Sequence, residues 1–504
     1  MGRDVLVLGD QLNRYGGALA QAEPGRDRIV FVESLGKLAE RPWHRQKLAY
    51  VWSGMRHLAS ELREDGYEVA TVQAASLLDG LTEAGCDPDG TVAMAPSTAG
   101  LRSRFAEWGV HQVDNDAFIV GEGRFASWAQ SRKRLGLEPF YRMVRAEQGW
   151  LMEGGEPIGG TWNLDAENRQ RAPRSGVQAP PVYVPVEDDI DADVRRDLAG
   201  LEARGPQTWW GQPGPRRFAV TRSEALEALA HFVDTRLEGF GPLEDAVVDD
   251  APFLWHSLLS APLNLGLLHP REVCDAIDAA YRERLSCDRT PHLASYEGAL
   301  RQITGWREYV WGLYWWRGQA WRTDNALSQH GAVPPAFQDG ATDMACVAAT
   351  VRDLHAHAWV HHIPRLMILG NFALLSGTNP QALSDWFHAR FIDGYEWVML
   401  PNVVGMSQWA DGGVMASKPY LSGGRYLDRM TTYCRGCRYD PTQRTGEDAC
   451  PFTTLYWDFL DRHEAKLRPN RRLSPVYGTL DRFDAAERAA ITMQAAAWRA
   501  DDGR

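Results

Sequence analysis

Three cysteines lie close together near the C-terminal end of the chain, in the stretch YCRGCRYDPTQRTGEDACPF that covers residues 433–452. Two residues separate Cys434 from Cys437, and twelve separate Cys437 from Cys450. Thiolates at this spacing suit zinc or an iron–sulfur cluster, and the spacing alone does not choose between the two metals. The alternatives are a redox-active thiol pair, which leaves Cys450 unexplained, and cysteines that are simply buried.

A fourth ligand has to come from elsewhere in the chain. The remaining cysteines are Cys86, Cys274, Cys287 and Cys346. Cys346 is the strongest candidate, because it begins the predicted helix that leads into a histidine-rich stretch.

The histidine-rich stretch HAHAWVHHIPRLM contains His355, His357, His361 and His362. Histidines four residues apart share a helix face and could bind a metal, but no carboxylate is positioned among them. The adjacent pair His361 and His362 cannot share one face. Proton transfer near neutral pH is the other chemistry that histidine suits.

The elements that position these residues begin with an α/β region. The runs DVLVLGDQL (4–12), RIVFVES (28–34) and TVAMAPS (91–97) are typical of buried parallel strands, and residues 46–70 form an amphipathic helix leading into another strand. Because strand and helix alternate, residues 1–130 are predicted to form an open, Rossmann-like α/β domain. No G-x-G-x-x-G sequence follows the first strand, so the standard dinucleotide fingerprint is absent.

Three polar residues follow the first two predicted strands: Asp10, Glu33 and His44. Ligands of open α/β sheets bind at the carboxyl ends of the strands, so all three are candidates for ligand contact. Each could equally be a solvated loop residue.

The rest of the chain divides into two parts. Residues 131–222 are predicted to be an interdomain linker, since the stretch 151–215 is rich in Gly, Pro, Asp and Arg and is predicted as loop. From Ser223 onward the apolar spacing is helical and no convincing strand is found. Residues 223–504 are therefore predicted to form an all-α domain.

Composition sets further limits on function. The chain has 504 residues and a formal net charge of −12, so no overall basic field points to nucleic acid, although a local patch could. No run of about eighteen apolar residues indicates a membrane span. The odd number of cysteines, with no secretion signal, argues against a disulfide framework, and we expect a cytoplasmic monomer.

Three stretches, in order along the chain, resemble motifs of the photolyase and cryptochrome superfamily. LWHSLLSAPLNLGLLHPREV (254–273) resembles its S-x-L-S-x-x-L-x-x-G-x-x-S-P sequence, with His269 in place of the serine, and LRQITGWREYVWGLYW (300–315) resembles its W-R-E-[FY] segment. WVMLPNVVGMSQWADGGVMASKPYLSGGRYLDRMTTYC (397–434), taken with the cysteines, is similar to one branch, the iron–sulfur bacterial cryptochromes and prokaryotic (6-4) photolyases. The resemblance covers nearly the whole chain.

The resemblance implies an α/β antenna domain, a linker and a helical domain that binds FAD. It implies a [4Fe–4S] cluster on Cys346, Cys434, Cys437 and Cys450. It also implies a 6,7-dimethyl-8-ribityllumazine antenna in the N-terminal domain, which we assign to Asp10, Glu33 and His44. A divalent ion such as Mg²⁺ is implied as well, and its ligands are not identified by the sequence.

The resemblance also assigns the flavin contacts: Ser257, Ser260, Gln302, Arg307, Arg365, Glu396 and Asn402. The two serine hydroxyls could donate to phosphates at a helix start or cap that helix, and both can hold at once. Glu396 and Asn402 would face the isoalloxazine ring, where a side-chain amide stabilises reduced flavin.

Four residues are assigned to the lesion pocket by the same resemblance: His361, His362, Tyr420 and Trp306. The histidines would transfer a proton when a hydroxyl group moves between two bases. Trp306 would stack on the flipped lesion, which is worth roughly 1–3 kcal/mol per base, although a core tryptophan is the plain alternative.

Trp386 resembles the first member of an electron-hopping chain to the flavin. The sequence departs from the family pattern at two positions, with Phe387 where a tyrosine is expected and Gln338 where a tryptophan is expected. Because phenylalanine is hard to oxidise, another tryptophan such as Trp359 or Trp397 is predicted to take part, or photoreduction is slow.

UV-damaged DNA is the expected partner. Arg171 and Arg174, in the long interdomain loop, would contact phosphates, and base flipping would present the lesion. The predicted function is light-driven repair of (6-4) photoproducts by electron transfer from reduced FAD. The alternatives are a cryptochrome-like photoreceptor without repair, a cyclobutane-dimer photolyase and, more distantly, a zinc-bound helical scaffold.

Overall fold

The N-terminal apolar runs form one parallel sheet in this computed structural model, which describes residues 2–171, 177–205, 208–287 and 290–500. The strands are β1 (Asp4–Val7), β2 (Arg28–Ser34), β3 (Glu68–Ala74), β4 (Thr91–Met94) and β5 (His111–Val113), in the order β3-β2-β1-β4-β5. Val5 in the central strand pairs with Ile29 on one side and Val92 on the other. The sheet confirms the predicted α/β fold, and β5 is a strand that the sequence did not indicate.

Helices connect the strands and continue through the middle of the chain. Their bounds are Leu35–Ala39, Arg45–Glu64, Leu77–Glu83, Ala99–Trp108, Glu122–Gln130, Leu137–Gln148 and Asp189–Arg204. A two-stranded ribbon, β6 (Met152–Glu153) with β7 (Glu156–Pro157), follows the sixth of these helices.

The C-terminal part is helical, as predicted. Its α-helices are Arg222–His231, Leu237–Phe240, Ser260–Leu265, Pro270–Ser286, Leu293–Leu300, Glu308–Arg317, Ala336–Asp339, Ala345–His357, Asn371–Ser376, Pro380–Arg390, Glu396–Met399, Gly424–Met430, Pro451–Arg462, Glu464–Leu467, Ser474–Leu480 and Ala485–Ala500. Widened π-helical turns occupy Phe232–Arg236, Arg301–Arg307, Pro364–Gly370 and Leu400–Ser407. Such turns are frequent at functional sites, because one extra residue per turn changes which side chains face inward.

Short 3₁₀ helices join these elements, at Leu19–Gln21, Pro88–Gly90, Ile158–Gly160, Asp165–Asn168, Gly318–Arg322, Tyr433–Gly436 and Arg471–Leu473. Throughout the described residues, every helix is too short or too polar to cross a bilayer.

The loop prediction for residues 151–215 is wrong over Asp189–Arg204, which is a helix. Asp188 caps this helix in a reciprocal capping box, and the buried residues Val194 and Leu198, four apart, lie on its inner face. The many acidic residues around these two masked the helical spacing. The domain boundaries at residues 130 and 222 stay predictions.

Helix Asp189–Arg204 packs against helix Arg45–Glu64 through polar contacts. Arg56 forms an ion pair with Asp197 at 2.8 Å, and His57 Nε2 lies 3.1 Å from Asp188. The Ser53 hydroxyl donates to Asp191. Helix Asp189–Arg204, in the predicted linker, is therefore bound to a helix of the N-terminal α/β region.

Candidate functional site

A cavity of about 250 Å³ lies inside the helical part of the chain. Seven residues that the sequence singled out line it together: Ser257, Ser260, Gln302, Trp359, His361, His362 and Arg365. Its apolar walls include Phe240, Val273, Ile277, Ala299 and Ile303. Two of the π-helical turns supply Gln302 and Arg365, so the widened turns position polar groups in an apolar cavity.

Asp393, which the sequence did not single out, fixes Arg365 at the cavity. Its two carboxylate oxygens accept from Arg365 Nη1 and Nη2 at 2.8 and 3.0 Å. The Ser260 hydroxyl donates to the same carboxylate at 2.7 Å. Such a two-pronged pair holds the guanidinium in one orientation. Asp393 lies alone in FIDGYEW, and no local pattern marks it.

The two adjacent histidines have different surroundings. His361 is buried, and its ring stacks on His256, a further residue that the sequence did not indicate, with ring centroids 4.4 Å apart. Burial lowers the pKa of His256 to about 3 and the pKa of His361 well below its usual value. His361 Nδ1 and His256 Nε2 have no hydrogen-bond partner in the described part of the chain.

His362 is exposed, and its ring lies on the cavity wall. The surrounding protein lowers its pKa to about 4, and the positive charge of Arg365 adds to the effect. A cavity-facing histidine that is neutral at pH 7 can accept or relay a proton.

Two carboxyl groups also line the cavity, Glu244 and Asp245. The Gln302 amide donates to Glu244 Oε1, and burial raises the pKa of Glu244 to about 8. Burial also raises the pKa of Asp245, although Arg169 opposes this shift. This side of the cavity therefore carries less negative charge than its composition suggests.

Tyr420 lies where Asp245 approaches the surface, and it is 38% exposed. Burial of part of the ring raises its pKa, and the charges nearest to it are Arg169, Asp165, Arg472 and Asp245. The segment ending at Arg171 is anchored beside it, since Asn168 Nδ2 donates to Ala294 O at 2.7 Å and Gln170 N donates to Pro242 O at 3.2 Å. Arg171 is exposed, and Arg174 lies outside the described residues.

Three further predicted flavin contacts, Glu396, Asn402 and Arg307, lie outside the lining of this cavity and stay predictions. Glu396 accepts from the Tyr314 hydroxyl at 2.7 Å and pairs with Arg322. Asn402 Nδ2 donates to Val398 O at 2.8 Å. Arg307 lies over the Phe118 ring at 4.3 Å, and burial lowers its pKa to about 10. Among the described residues, the cavity walls do not include these three side chains.

Trp306 also lies outside this lining, and its stacking on a lesion stays a prediction. Its ring is half-buried, and the cavity walls formed by the described residues contain Gln302 and Ile303 from the same turn but not Trp306. The π-helical geometry of Arg301–Arg307 turns different positions inward than a regular helix would.

The three predicted antenna residues each have polar partners within the protein. Asp10 accepts from the Ser97 hydroxyl, and burial raises its pKa. Glu33 lies inside β2 rather than in a loop, and Arg56 holds both of its oxygens at 2.7 and 2.9 Å.

His44 is fully buried and caps helix Arg45–Glu64. Its Nδ1 accepts from Gln46 N at 3.1 Å, and its Nε2 lies 3.1 Å from Leu354 O. Burial lowers its pKa to about 3. Because both ring nitrogens are used within the protein, the predicted ligand contact of His44 is wrong.

The four predicted metal-binding cysteines converge. Cys346 lies in the first turn of helix Ala345–His357, and Cys450 caps helix Pro451–Arg462. Burial raises the pKa of Cys346, and the thiols of Cys434, Cys437 and Cys450 raise it further. A Cβ on Gly424 would lie 2.9 Å from Cys450 Sγ, so a glycine is needed beside the sulfur. Buried thiols that repel one another as anions suit a positively charged group.

The thiols are spread more widely than a single ion requires. Among the described residues, the group with three ligand atoms within 4.8 Å of one another is His57, Asp188 and Asp191, and it includes no cysteine. Zinc bonds of about 2.3 Å would place sulfurs roughly 3.8 Å apart. The arrangement therefore suits a larger cluster better than zinc.

Trp386 is buried in an aromatic group away from the cavity lining. Its ring centroid lies 5.5 Å from Phe387, 5.4 Å from Phe337 and 6.5 Å from Trp210. Trp210 is half-buried, and its indole N–H donates to the backbone oxygen of Gln338 at 2.6 Å. Trp210, which lies in the predicted linker, is therefore next to Gln338, the position where the family pattern has a tryptophan.

Comparison with solved structures defines the class of the fold. The chain is similar to a bacterial class III photolyase from Agrobacterium tumefaciens, with a TM-score of 0.55 and 16% identity over 100% of this chain and 98% of that one. It is also similar to the cryptochrome of Synechocystis sp. PCC6803, with a TM-score of 0.55 and 12% identity over 82% of each chain. The fold is that of photolyases and cryptochromes.

Sequence comparison gives the family. Residues 5–210 match the family model of deoxyribodipyrimidine photo-lyase-related proteins. The chain is 40% identical to the (6-4) photolyase of Agrobacterium fabrum over an alignment of 520 positions that covers 99% of each chain. The chain belongs to the prokaryotic (6-4) photolyase and cryptochrome family, which confirms the resemblance read from its motifs.

Membership of this family implies a flavin. The cavity fits one, because its walls are apolar, its polar groups are few and fixed, and buried nitrogens of His256 and His361 have no partner within the described chain. Ser257 and the Arg365–Asp393 pair supply polar contacts at its edge.

Proposed function

We propose that this chain repairs (6-4) pyrimidine photoproducts in DNA in a light-dependent reaction, with reduced FAD as its cofactor. The observation that carries the proposal is the cavity that joins Arg365, Asp393 and His362 in a chain whose full-length relative is named a (6-4) photolyase. Bound FAD would supply the light-absorbing group and the electron that is transferred to the lesion and back to the flavin after repair.

The residues of the chain orient and protect this cofactor. The Asp393 carboxylate fixes Arg365, so that one face of the guanidinium is presented in a constant orientation. Because Ser260 donates to Asp393, its hydroxyl orients the acid rather than a phosphate. The apolar walls exclude water, which strengthens every polar contact inside.

His362 is the residue proposed to transfer a proton to the lesion. Both histidines line the cavity, but His362 is exposed there, whereas His361 is buried with its ring stacked on His256. Desolvation by the surrounding protein, with a smaller effect from the charge of Arg365, lowers the pKa of His362 to about 4, so that the imidazole is neutral at pH 7 and can take up or relay a proton.

The DNA would meet the protein at the surface near Tyr420. Arg169 and Arg472 lie close to this tyrosine, and the exposed Arg171 follows in the same anchored segment. Phosphate contacts of this kind give affinity that falls as salt rises, and a flipped lesion would then enter the cavity. Arg174 is proposed to extend this basic segment.

A [4Fe–4S] cluster is proposed on Cys346, Cys434, Cys437 and Cys450. The support is the convergence of four thiols at a spacing wider than zinc needs. The cluster is proposed to stabilise the fold, because the repair chemistry requires only the flavin. Measurement of iron and acid-labile sulfide against zinc in the purified protein tests the assignment.

An antenna chromophore, 6,7-dimethyl-8-ribityllumazine, is proposed near Asp10 at the carboxyl end of β1. Burial, the Ser97 hydroxyl and the charge of Lys37 define the surroundings of this carboxyl group. Extraction and mass analysis of the bound chromophores test this assignment. Mg²⁺ is proposed to assist repair, and chelation before the repair assay tests it.

The deciding experiment is repair of an oligonucleotide with one (6-4) photoproduct by the reduced protein under blue light, with a dark control. A matched oligonucleotide with a cyclobutane dimer distinguishes the two photolyase activities. We expect light-dependent loss of the (6-4) product and none of the dimer. A flavin-loaded protein that repairs neither would instead favour a photoreceptor.

A further inference from the structure

Arg216 and Arg217 are neighbours in sequence but differ in charge compensation. Arg216 forms ion pairs with Asp191 at 3.0 Å and Glu224 at 2.7 Å. Arg217 forms no ion pair with any carboxylate in the part of the chain that the structure describes. Partial burial alone lowers its pKa, with no nearby anion to oppose the shift.

Arg217 is held in place by uncharged groups. Its Nε donates to His357 Nδ1 at 3.1 Å, and its guanidinium lies over the Phe253 ring at 5.1 Å. Its terminal nitrogens, Nη1 and Nη2, donate to no group among the described residues. A fixed guanidinium with two unused donor nitrogens is suited to bind an anion with two oxygens.

The space beside Arg217 adjoins the flavin cavity. A small pocket is lined by Arg217, Arg236, Ser257 and Leu258, and the last two residues also line the cavity. Leu258 has a φ of +59°, which is uncommon for a residue with a side chain and occurs at ligand sites.

Arg236 adds a second positive charge without a counter-ion. It is fully buried, and its N–H groups donate to the backbone oxygens of Pro180, Phe253 and His256. Burial lowers its pKa to about 10, and no carboxylate contributes to the shift. A buried cation beside a half-buried one, with no anion near either, is costly unless a ligand supplies the negative charge.

We propose that Arg217, with the Ser257 hydroxyl, binds the diphosphate of a dinucleotide cofactor whose ring end occupies the cavity. Arg236 contributes long-range positive charge to the same site. The inference rests on the proposed function in taking the dinucleotide to be FAD, and it makes Arg217 the residue that distinguishes FAD from flavins without a diphosphate.

The test compares flavins in the full-length protein. Affinities for FAD and riboflavin are measured by flavin fluorescence after the bound cofactor is removed and reloaded. We expect Arg217→Gln to weaken FAD binding about tenfold or more, as for loss of charge-assisted hydrogen bonds, and to change riboflavin binding less than about twofold. The FAD affinity of Arg217→Lys should lie between those of the wild type and Arg217→Gln.

Arg195→Gln is the matched control, because Arg195 is close to Arg217 but is paired with Glu187. We expect its FAD affinity to equal that of the wild type. Equal weakening by both substitutions would overturn the specific role of Arg217, and so would an Arg217→Gln protein that binds FAD as the wild type does.

A second measurement uses the wild-type protein alone. Inorganic pyrophosphate should compete with FAD for reloading but not with riboflavin, and the absence of such competition would contradict the proposal. The DNA affinity of the Arg217→Gln protein shows whether Arg217 binds the phosphates of FAD or those of the DNA backbone. A loss of DNA binding with unchanged FAD binding would overturn the proposal. A wild-type protein that binds no flavin would refute the proposed function instead.

Discussion

Asp393 accepts hydrogen bonds from Arg365 with both carboxylate oxygens, at 2.8 and 3.0 Å, on the wall of the cavity. The acid lies on a loop and the arginine lies on a π-helical turn, so the pair joins two elements that are distant in sequence. Each of its side chains is largely buried, at 6% and 17% exposure.

Asp393→Asn should destabilise the protein by about 3 kcal/mol and reduce its flavin content, because it leaves the buried guanidinium without its anion. Urea unfolding and the flavin-to-protein absorbance ratio measure the two effects. Asp385→Asn is the control, since Asp385 is 51% exposed and its pair with Arg41 should contribute less than about 1 kcal/mol. Equal effects from the two variants would contradict the prediction.

His362→Gln should lower the repair rate by about 10²-fold or more, as expected for loss of a proton-transfer group. DNA affinity should be retained, and this separates chemistry from binding. His355→Gln, a half-buried histidine of the same stretch outside the cavity lining, serves as control and should repair normally. Because the pKa of His362 is about 4, wild-type repair should be flat from pH 6 to 8 and fall only toward pH 4.

His44 makes the stability of the protein sensitive to acid. Its pKa is about 3 in the folded chain against 6.5 when unperturbed, so between these values the unfolded state binds the extra proton. Stability from this histidine is therefore complete above pH 6.5 and is lost as pH falls toward 3, by about 1.4 kcal/mol per pH unit.

His44→Asn should keep the helix cap but remove this titration. Urea unfolding should show a variant that is less stable than the wild type at pH 7, by about 1 kcal/mol for the lost hydrogen bond, and less steeply dependent on pH between 7 and 5. An unchanged slope would show that His44 is not the source of the acid sensitivity.

Cys346→Ser should abolish iron binding and lower the thermal midpoint, because one of four converging thiols is removed from a buried site. Iron and sulfide analysis and thermal unfolding measure this. Cys287→Ser is the control, since Cys287 is exposed and lies outside the group. Full iron content in the Cys346→Ser protein would remove Cys346 from the ligand set.

Trp386→Phe should slow photoreduction of the flavin, and Trp210→Phe should also slow it, because the two rings are 6.5 Å apart and Trp210 leads toward the surface. Transient absorption follows the tryptophan radical. Trp316→Phe, at an exposed tryptophan, is the control. Unimpaired photoreduction in Trp386→Phe would exclude this route.

The sequence predicted the parts of the fold that depend on local spacing. The strand Arg28–Ser34 has the predicted bounds, and the predicted helix 46–70 is observed at Arg45–Glu64. The convergence of Cys346 with Cys434, Cys437 and Cys450 was predicted from the resemblance, since motifs carry such information across the chain.

The site residues that the sequence missed have no local pattern. Asp393 stands alone in its loop, and His256 lies in the stretch 254–273 but matches no position of the motif there; tertiary packing brings them to Arg365 and His361. The position of Arg307 outside the cavity lining was also not predictable, because the direction of its side chain depends on a π-helical turn, which spacing rules for regular helices do not anticipate.

One helix, Ala345–His357, has Cys346 in its first turn and the backbone oxygens that receive His44 in its last. Oxidative loss of the proposed cluster should therefore weaken the contact of this helix with His44 as well as the segment that holds Cys434, Cys437 and Cys450. Protein without the proposed cluster should be cleaved faster by proteases on either side of helix Ala345–His357 than protein that contains it.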